Sequence, residues 1–207
     1  MSKGRFVSLE GGEGSGKSTQ AELLKAALEE KGIACILTRE PGGEVGAELI
    51  RDLLVQGSAD RWEPITELLL FLAARFQHYH RTIAPALAQG QWVICDRYHD
   101  STRVYQGVGR GMSQAYCDQL FAATLGNAMP DITFYFDIEP QQGLARSTRR
   151  TNHETRFESL ELAFHQKVRD GFLALVKRES SRFELIEVGQ HSKDAIHAQI
   201  MQRVTMF

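Results

Sequence analysis

A phosphate-binding loop near the amino terminus constrains this chain more than any other feature. Residues 11–18 read Gly-Gly-Glu-Gly-Ser-Gly-Lys-Ser, which matches the pattern G-x-x-x-x-G-K-[ST] in full. A short apolar run precedes the loop, and apolar residues recur at helical spacing over 17–31. Glycines let backbone N–H groups approach an anion closely, and the helix N-terminus favours negative charge. The sequence therefore predicts a triphosphate-binding loop formed by Gly11, Gly12, Glu13, Gly14, Ser15, Gly16, Lys17, Ser18 and Thr19.

Three side chains extend this prediction to the chemistry of phosphate and metal. Lys17 is expected to reach the β- and γ-phosphates, and Ser18 to ligate Mg²⁺. Asp96 follows the unbroken apolar run 92–95, where a carboxylate helps to hold the metal in many nucleotide-binding proteins. The alternative for Asp96 is a turn or helix-cap aspartate.

Alternating strand and helix patterns predict an α/β fold with a doubly wound, five-stranded parallel sheet flanked by helices. We treat residues 1–207 as one domain, because no linker interrupts the pattern. The predicted strands cover 6–9, 33–37, 92–95, 132–136 and 183–188. The predicted helices cover 17–31, 44–56, about 65–90 with a bend at Pro85, 113–125, 140–148, 157–178 and 193–204.

The carboxyl ends of these strands are the expected binding edge, because ligands of such sheets lie there. Gly11, Arg39, Asp96 and Asp137 each follow a predicted strand. The candidate chemistry is therefore expected to converge on one edge of the sheet.

The overall charge and apolar patterning exclude several classes of protein. The net charge is −2, so nothing global suggests a nucleic-acid partner. The richest apolar stretch, 68–74, is far too short to span a membrane, and no signal segment precedes the loop. Three cysteines at irregular spacing fit a reducing compartment. We expect a soluble, cytoplasmic protein.

Arginines near predicted loops favour a kinase that acts on a phosphorylated acceptor. Such an enzyme must clamp the acceptor phosphate and neutralise the transferred group. Neither the Asn-Lys-x-Asp nor the Asp-x-x-Gly motif of GTPases is present. The alternatives are a deoxynucleoside kinase, whose acceptor is uncharged, and a P-loop switch protein. A basic lid is expected at about 147–157, and the arginines concerned are Arg39, Arg51, Arg75, Arg97, Arg110, Arg146, Arg149, Arg150 and Arg156.

Five further motifs, in this order and spacing, resemble those of the bacterial thymidylate kinases. The resemblance runs from about residue 5 to about residue 190. It rests on Thr38-Arg39-Glu40-Pro41-Gly42-Gly43, Phe71-Leu72-Ala73-Ala74-Arg75, Asp96-Arg97-Tyr98, Tyr105-Gln106-Gly107 and Arg156-Phe157-Glu158. It implies a P-loop nucleoside-monophosphate-kinase fold with a mobile lid. It also implies transfer of the γ-phosphoryl group of ATP to dTMP with Mg²⁺, giving dTDP for dTTP biosynthesis, and a homodimer.

The resemblance also implies roles for individual residues around the nucleotide acceptor. Phe71 would stack on thymine, and Arg75 would donate to a thymine carbonyl oxygen. Thr102 and Gln106 lie where the family reads the base edge, and Tyr105 would pack beneath the deoxyribose. Arg97, Arg51 and Arg39 match positions around the acceptor phosphate, and Tyr98 is expected to bind the substrate. Glu40 would lie near the acceptor and the metal, and Pro41 would follow a cis or otherwise constrained bond.

The resemblance further implies where the catalytic basic residue lies. Members of the family carry it either in the phosphate loop or in the lid. Glu13 occupies the loop position here, which implies the lid arrangement. Arg149 and Arg150 are the candidates, although the lid is about one residue longer than is common and Thr155 replaces a frequent Asp.

Overall fold

The structure, a computed structural model, describes residues 4–147, 156–157 and 160–206. Its centre is a parallel sheet of five strands in the order β2-β3-β1-β4-β5. The strands are β1 (Phe6–Gly11), β2 (Cys35–Arg39), β3 (Trp92–Asp96), β4 (Ile132–Asp137) and β5 (Phe183–Glu187). The predicted five-stranded parallel sheet is therefore confirmed. The central strand β1 is buried along its whole length, as expected for a strand covered on both faces.

Nine α-helices connect and flank the strands within the described residues. They are α1 (Lys17–Glu30), α2 (Val45–Val55), α3 (Pro64–His78), α4 (Ala84–Ala88), α5 (His99–Thr102), α6 (Gln114–Leu125), α7 (Pro140–Ser147), α8 (Leu162–Arg178) and α9 (Lys193–Val204). Two of them begin at side-chain caps: Glu44 accepts from Gly46 N and Ala47 N, and Ser192 accepts from Ala195 N. Pro64 opens α3, where its missing N–H has no helical partner to lose.

The observed elements depart from the predicted ones most clearly in three places. The second strand begins at Cys35 rather than residue 33, because Ile33 N bonds Leu28 O and still belongs to the end of α1. The helix predicted over 65–90 contains a π-helical turn, Tyr79–Ile83, directly before Pro85, which has no N–H to continue the regular ladder. The helix predicted from residue 157 begins at Leu162.

The segment after β3 is helical, although the sequence analysis assigned no element there. The short helix α5 continues into a π-helical stretch, Arg103–Gly109. The wider turns of a π-helix displace side chains from the regular helical positions, and such turns occur frequently at functional sites. Thr102, Tyr105 and Gln106 all lie on this segment.

Apolar layers cover both faces of the sheet. On one face, Leu24 and Leu28 of α1 and Ile200 of α9 pack in one cluster with strand residues. On the other face, Leu68 and Leu72 of α3 pack in a cluster that also includes residues of α6 and β3. No described helix has both the length and the apolar character needed to cross a bilayer.

The carboxyl edge of the sheet continues beyond the strands through backbone hydrogen bonds. Glu40 N donates to Asp96 O at 3.0 Å, and Arg97 N donates to Leu9 O at 2.9 Å. The Glu40–Pro41 peptide bond is cis, in agreement with the expectation for Pro41. The loops after β1, β2 and β3 are thereby held side by side.

Candidate active site

One cleft of about 610 Å³ lies at the carboxyl edge of the sheet. Residues from the phosphate loop, from the loops after β2 and β3, and from α2, α3 and the π-helical stretch line it. Of the predicted site residues, those lining it are Glu13, Gly14, Ser15, Gly16, Lys17, Ser18, Arg39, Glu40, Pro41, Arg51, Phe71, Arg75, Asp96, Arg97, Tyr98, Thr102, Tyr105 and Gln106. The structure thus brings together residues from five separate sequence motifs.

Three predicted loop residues do not line the cleft, and two predicted lid residues lie outside the part of the chain that the structure describes. Gly11 and Gly12 form the base of the phosphate loop, and Thr19 lies exposed on the first turn of α1. Arg149 and Arg150 lie outside the described residues.

The phosphate loop requires glycine at two positions for steric reasons. Gly14 has a φ of 65°, and a Cβ there would lie 2.1 Å from Gly143 O. Gly16 has a φ of 89°, in the left-handed region, and it immediately precedes α1. The loop therefore leads directly into the N-terminus of a helix of 14 residues, which favours an anion.

Lys17 lies within the curve of this loop. Its Nζ donates to Gly12 O at 2.8 Å and to Ser15 Oγ at 3.2 Å. Burial and the nearby Arg97 guanidinium lower the pKa of Lys17 to about 8, and the neighbouring carboxylates Asp96 and Glu13 limit that shift. A phosphate group here would offset the desolvation of the ammonium group and favour its charged form.

Ser18 and Asp96 meet at the open side of the loop. Ser18 Oγ donates to Asp96 Oδ2 at 2.6 Å. A hydroxyl and a carboxylate are the oxygen donors that Mg²⁺ prefers, and this ion usually keeps several of its waters. Within the described part of the chain, no group of three or more His, Cys, Asp or Glu residues could hold a metal by itself. The two oxygens therefore suit a magnesium ion that arrives with nucleotide phosphates.

Arg97 projects into the cleft from a strained backbone position. Its φ is 69°, in the left-handed region that a non-glycine residue rarely adopts. Its guanidinium donates to Glu13 Oε1 at 2.6 Å and to Ser101 Oγ at 3.3 Å. Although burial alone would raise the pKa of Glu13, Arg97 and Lys17 hold that pKa below its ordinary value. The pair places a cation beside the phosphate loop.

Glu10, which the sequence analysis did not identify, holds the backbone around Arg97. Its Oε1 accepts from Tyr98 N at 2.7 Å and from Ser101 N at 3.2 Å, and its Oε2 accepts from Ser101 Oγ at 2.6 Å. Burial first, and then the nearby Asp100, raise the pKa of Glu10 to about 7. Glu10 therefore fixes the turn that follows Arg97.

Arg75 and Glu40 form a buried ion pair in the wall of the cleft. Arg75 Nε donates to Glu40 Oε2 at 2.6 Å, and its other nitrogens donate to Thr102 Oγ1 and to Tyr98 O. Glu40 Oε1 bonds His78 Nδ1 at 3.0 Å. His78, which we expected to be a polar or helix-surface residue, is fully buried instead. The guanidinium of Arg75 is thus fixed on three sides at the cleft wall.

Three rings form an apolar corner near Arg75. The ring centroids of Phe71 and Phe157 are 6.1 Å apart, and those of Tyr105 and Phe157 are 6.0 Å apart. The Arg97 guanidinium lies 5.2 Å from the Tyr105 ring centroid. An aromatic corner beside fixed polar donors suits a planar, polar ring.

The remaining predicted phosphate ligands have protein partners in the cleft rim. Arg39 donates to both carboxylate oxygens of Glu48 and is about half exposed. Arg51 donates to Pro41 O. His99, which follows the Asp96-Arg97-Tyr98 motif, stacks on Phe121 and bonds Asp118, so it belongs to the fold rather than to the cleft.

Several residues that line or support the cleft were not predicted from the sequence. Phe157 was identified only within a motif, and no local pattern distinguished Ser101, Ser147, Asp52, Val55 and Gln56, which also line it. Arg156, expected in a lid, is fully buried and donates to Leu54 O, Ser58 O and Ala59 O. Ser101 and Glu10 are separated by 91 residues, so only the fold could join them.

A comparison with known proteins decides the family. The sequence profile described as thymidylate kinase matches residues 9–200. The chain belongs to the thymidylate kinase family.

Individual relatives agree with this family. A thymidylate kinase of Ruegeria pomeroyi is 47% identical over 97% of this chain and 94% of the relative. A thymidylate kinase of Dinoroseobacter shibae is 48% identical over 98% of this chain and 97% of the relative. The crystal structure of thymidylate kinase from Ehrlichia chaffeensis matches with a TM-score of 0.77 at 33% identity, covering 98% of this chain and 99% of the other. The P-loop nucleoside-monophosphate-kinase fold is therefore confirmed.

Proposed function

We propose that this member of the thymidylate kinase family transfers the γ-phosphoryl group of ATP to dTMP, giving ADP and dTDP for dTTP supply. The observation that carries the proposal is that one cleft joins a triphosphate-binding loop to an aromatic corner with a fixed guanidinium. A cleft of about 610 Å³ lies within the size range of small-molecule sites. Donor and acceptor would meet between Lys17 and Arg97.

The donor end binds ATP through the loop backbone, Lys17 and the N-terminus of α1. Ser18 and Asp96 would hold Mg²⁺, which neutralises charge on the β- and γ-phosphates when it is bound. The hydroxyl and the carboxylate are already within hydrogen-bond distance of each other, so both can face one ion.

The acceptor end aligns the 5′-phosphate of dTMP and needs no strong base, because the attacking oxygen is already anionic. Arg97 would bind that phosphate, with Arg39 and Arg51 at the rim. Glu13 would keep Arg97 directed toward the phosphate loop. On this proposal, the lid at about 147–157 supplies Arg149 or Arg150 to the transferred group and excludes water.

The base end selects thymine by shape and by hydrogen bonds. Phe71 would stack on the ring, and Tyr105 would pack beneath the deoxyribose. Arg75 would donate to a carbonyl oxygen of the base. Thr102 and Gln106 lie on the π-helical segment and its junction, beside the same wall of the cleft.

We also propose that the protein acts as a homodimer in the cytoplasm, with residues 1–207 as one kinase domain. An exposed apolar stripe on α2 and α3 supports the dimer: Val45, Leu49, Ile65, Leu69 and Phe76 are 79%, 68%, 52%, 51% and 44% exposed. The two helices pack beside each other, so the residues can form one surface. The free thiols of Cys35, Cys95 and Cys117 fit a reducing compartment.

The proposal is tested by the rate of ADP formation with Mg²⁺ and a panel of acceptors. The panel comprises dTMP, thymidine, dUMP, dCMP, dGMP, AMP and water alone. We expect turnover with dTMP to exceed all others. A higher rate with thymidine than with dTMP would assign the protein to the nucleoside kinases. An equal rate with water alone would leave only a nucleotide hydrolase.

A further inference from the structure

A buried carboxylate lies directly behind the base-binding wall of the cleft. Glu67 is on α3, four residues before Phe71 and eight before Arg75, so the three project from neighbouring turns of one helix. The side chain of Glu67 is fully buried and does not line the cleft. A buried charge in this position requires partners.

Both oxygens of Glu67 accept hydrogen bonds from side chains, one glutamine and two arginines. Oε1 accepts from Gln106 Nε2 at 2.8 Å and from Arg110 Nε at 3.4 Å. Oε2 accepts from Arg110 at 3.2 Å and from Arg156 at 2.5 Å. Gln106 is the only one of these three donors that also lines the cleft.

The hydrogen bond from Gln106 Nε2 to Glu67 Oε1 determines which way the amide of Gln106 faces. Both Glu67 oxygens accept from guanidinium groups, and a carboxylate in such an ion pair only accepts hydrogen bonds. The NH₂ group of Gln106 must therefore face Glu67, because the amide oxygen has no hydrogen to donate to a carboxylate. The planar amide then leaves its carbonyl oxygen, Oε1, as the group that can meet a ligand in the cleft.

We propose that Glu67 is a specificity-positioning residue, which holds Gln106 so that the cleft presents a hydrogen-bond acceptor to the edge of the nucleotide base. Thymine offers an N3–H donor on that edge, whereas cytosine has a bare N3 acceptor in its place. An acceptor from Gln106 bonds the first base and opposes the lone pair of the second. The inference rests on the proposed function, because it concerns the acceptor base of the same reaction.

Arg156 forms the shorter of the two ion pairs with Glu67, at 2.5 Å against 3.2 Å for Arg110, and it is the arginine that holds the carboxylate in this role. Arg156 has no exposed side-chain surface, and it also donates to Leu54 O of α2 and to Ser58 O and Ala59 O of the segment between α2 and α3. Arg110 adds a second cation and donates to Ala59 O as well. Glu67 thereby links the base-reading amide to Arg156, which lies near the carboxyl end of the proposed lid.

The first test changes the charge of Glu67 and leaves its shape intact. In Glu67→Gln, the neutral amide can donate as well as accept, so the amide of Gln106 is free to turn. We expect the ratio of the dissociation constants of dCMP and dTMP, measured by calorimetry, to fall by about ten-fold, the value of one hydrogen bond. In the Gln106→Met background, the same change should leave the ratio unaltered, because the amide it controls is absent.

Arg110→Met is the matched control. It removes another partner of Glu67 but leaves the bond to Gln106, so it should reduce thermal stability without moving the dCMP-to-dTMP ratio. The proposal is overturned if Glu67→Gln weakens both nucleotides equally, or if it changes the ratio as much in the Gln106→Met background. Failure of the unaltered protein to bind dTMP would instead refute the proposed function.

A second measurement needs no substitution at Glu67, and it covers the case in which Glu67→Gln does not fold. The side-chain amide resonance of Gln106 is identified by its loss in Gln106→Met. Held by a buried carboxylate, its protons should exchange with solvent at least ten-fold more slowly than those of the exposed Gln56, by analogy with other buried hydrogen bonds. Equal exchange rates for the two glutamines would contradict the proposal.

Discussion

Removal of the Arg75 guanidinium should lower the stability of the protein. It should also reverse the direction in which the contribution of Glu40 to that stability changes with pH. Arg75 and Glu40 have side chains that are only 2% and 3% exposed, and their charged atoms are 2.6 Å apart. The variant Arg75→Met keeps most of the buried volume but leaves the Glu40 carboxylate with His78 as its remaining side-chain partner. Breaking a buried pair in this way costs about 3–5 kcal/mol.

The expected magnitude is easily measured by thermal unfolding. For a chain of this length, each kcal/mol lowers Tm by about 2–4 °C, so Arg75→Met should unfold roughly 6–20 °C below the unaltered protein. The double variant Glu40→Gln with Arg75→Met removes both charges and should recover much of the loss. If Arg75→Met lowers the free energy of unfolding by less than about 1 kcal/mol, the pair contributes no more than an exposed ion pair does, and the reasoning is refuted.

The pH dependence tests the same reasoning independently. Burial favours the neutral form of Glu40, but Arg75 and then His78 hold its pKa below the ordinary value. In the unaltered protein, this stabilisation is present above the ordinary carboxyl pKa and is lost as the pH falls. Without Arg75, burial should raise the pKa of Glu40, so the free energy of unfolding should fall as the pH rises above the ordinary carboxyl range. An unchanged slope would refute the assignment.

Three further predictions concern catalysis, the turn at Arg97 and assembly. Lys17→Ala and Arg97→Ala should each lower kcat about 10²–10³-fold or more, as losses of preorganised donors do, and near-normal ADP formation by either would contradict its phosphate-binding role. Glu10 has a pKa raised to about 7, so its contribution to the free energy of unfolding should decline as the pH rises from about 5 to 8. In denaturant titrations, the free energy of unfolding of Glu10→Gln should therefore vary less with pH over this range. The same variation with pH in both proteins would count against a raised pKa. Leu49→Glu combined with Leu69→Glu should sediment as a monomer, whereas an unchanged dimer would exclude the α2–α3 stripe as the interface.

The sequence predicted those parts of the site that depend on local patterns. The phosphate loop is contiguous, and the strand before it and the helix after it are both visible as apolar periodicities. Asp96 was identified because an unbroken apolar run ends there. The strand order β2-β3-β1-β4-β5 is known only from the structure, but the parallel arrangement followed from the alternation of strands and helices.

Residues that act through distant partners could not be identified from the sequence. Glu67 is 39 positions from Gln106 and 89 from Arg156, and nothing in the leucine-rich pattern of α3 distinguishes it from a solvated glutamate. His78 was expected to be a polar or helix-surface residue for the same reason, because its partner Glu40 lies 38 positions away. Burial of a polar side chain depends on the partner that the fold supplies.

The destination of the γ-phosphoryl group is the most direct test of the account. ATP labelled in the γ-phosphate is incubated with Mg²⁺, the protein and dTMP, and the products are separated by chromatography. The proposed function predicts that the label appears in dTDP, with little inorganic phosphate released. Label found in inorganic phosphate at the same rate with and without dTMP would contradict it, because the cleft would then bind ATP without aligning an acceptor.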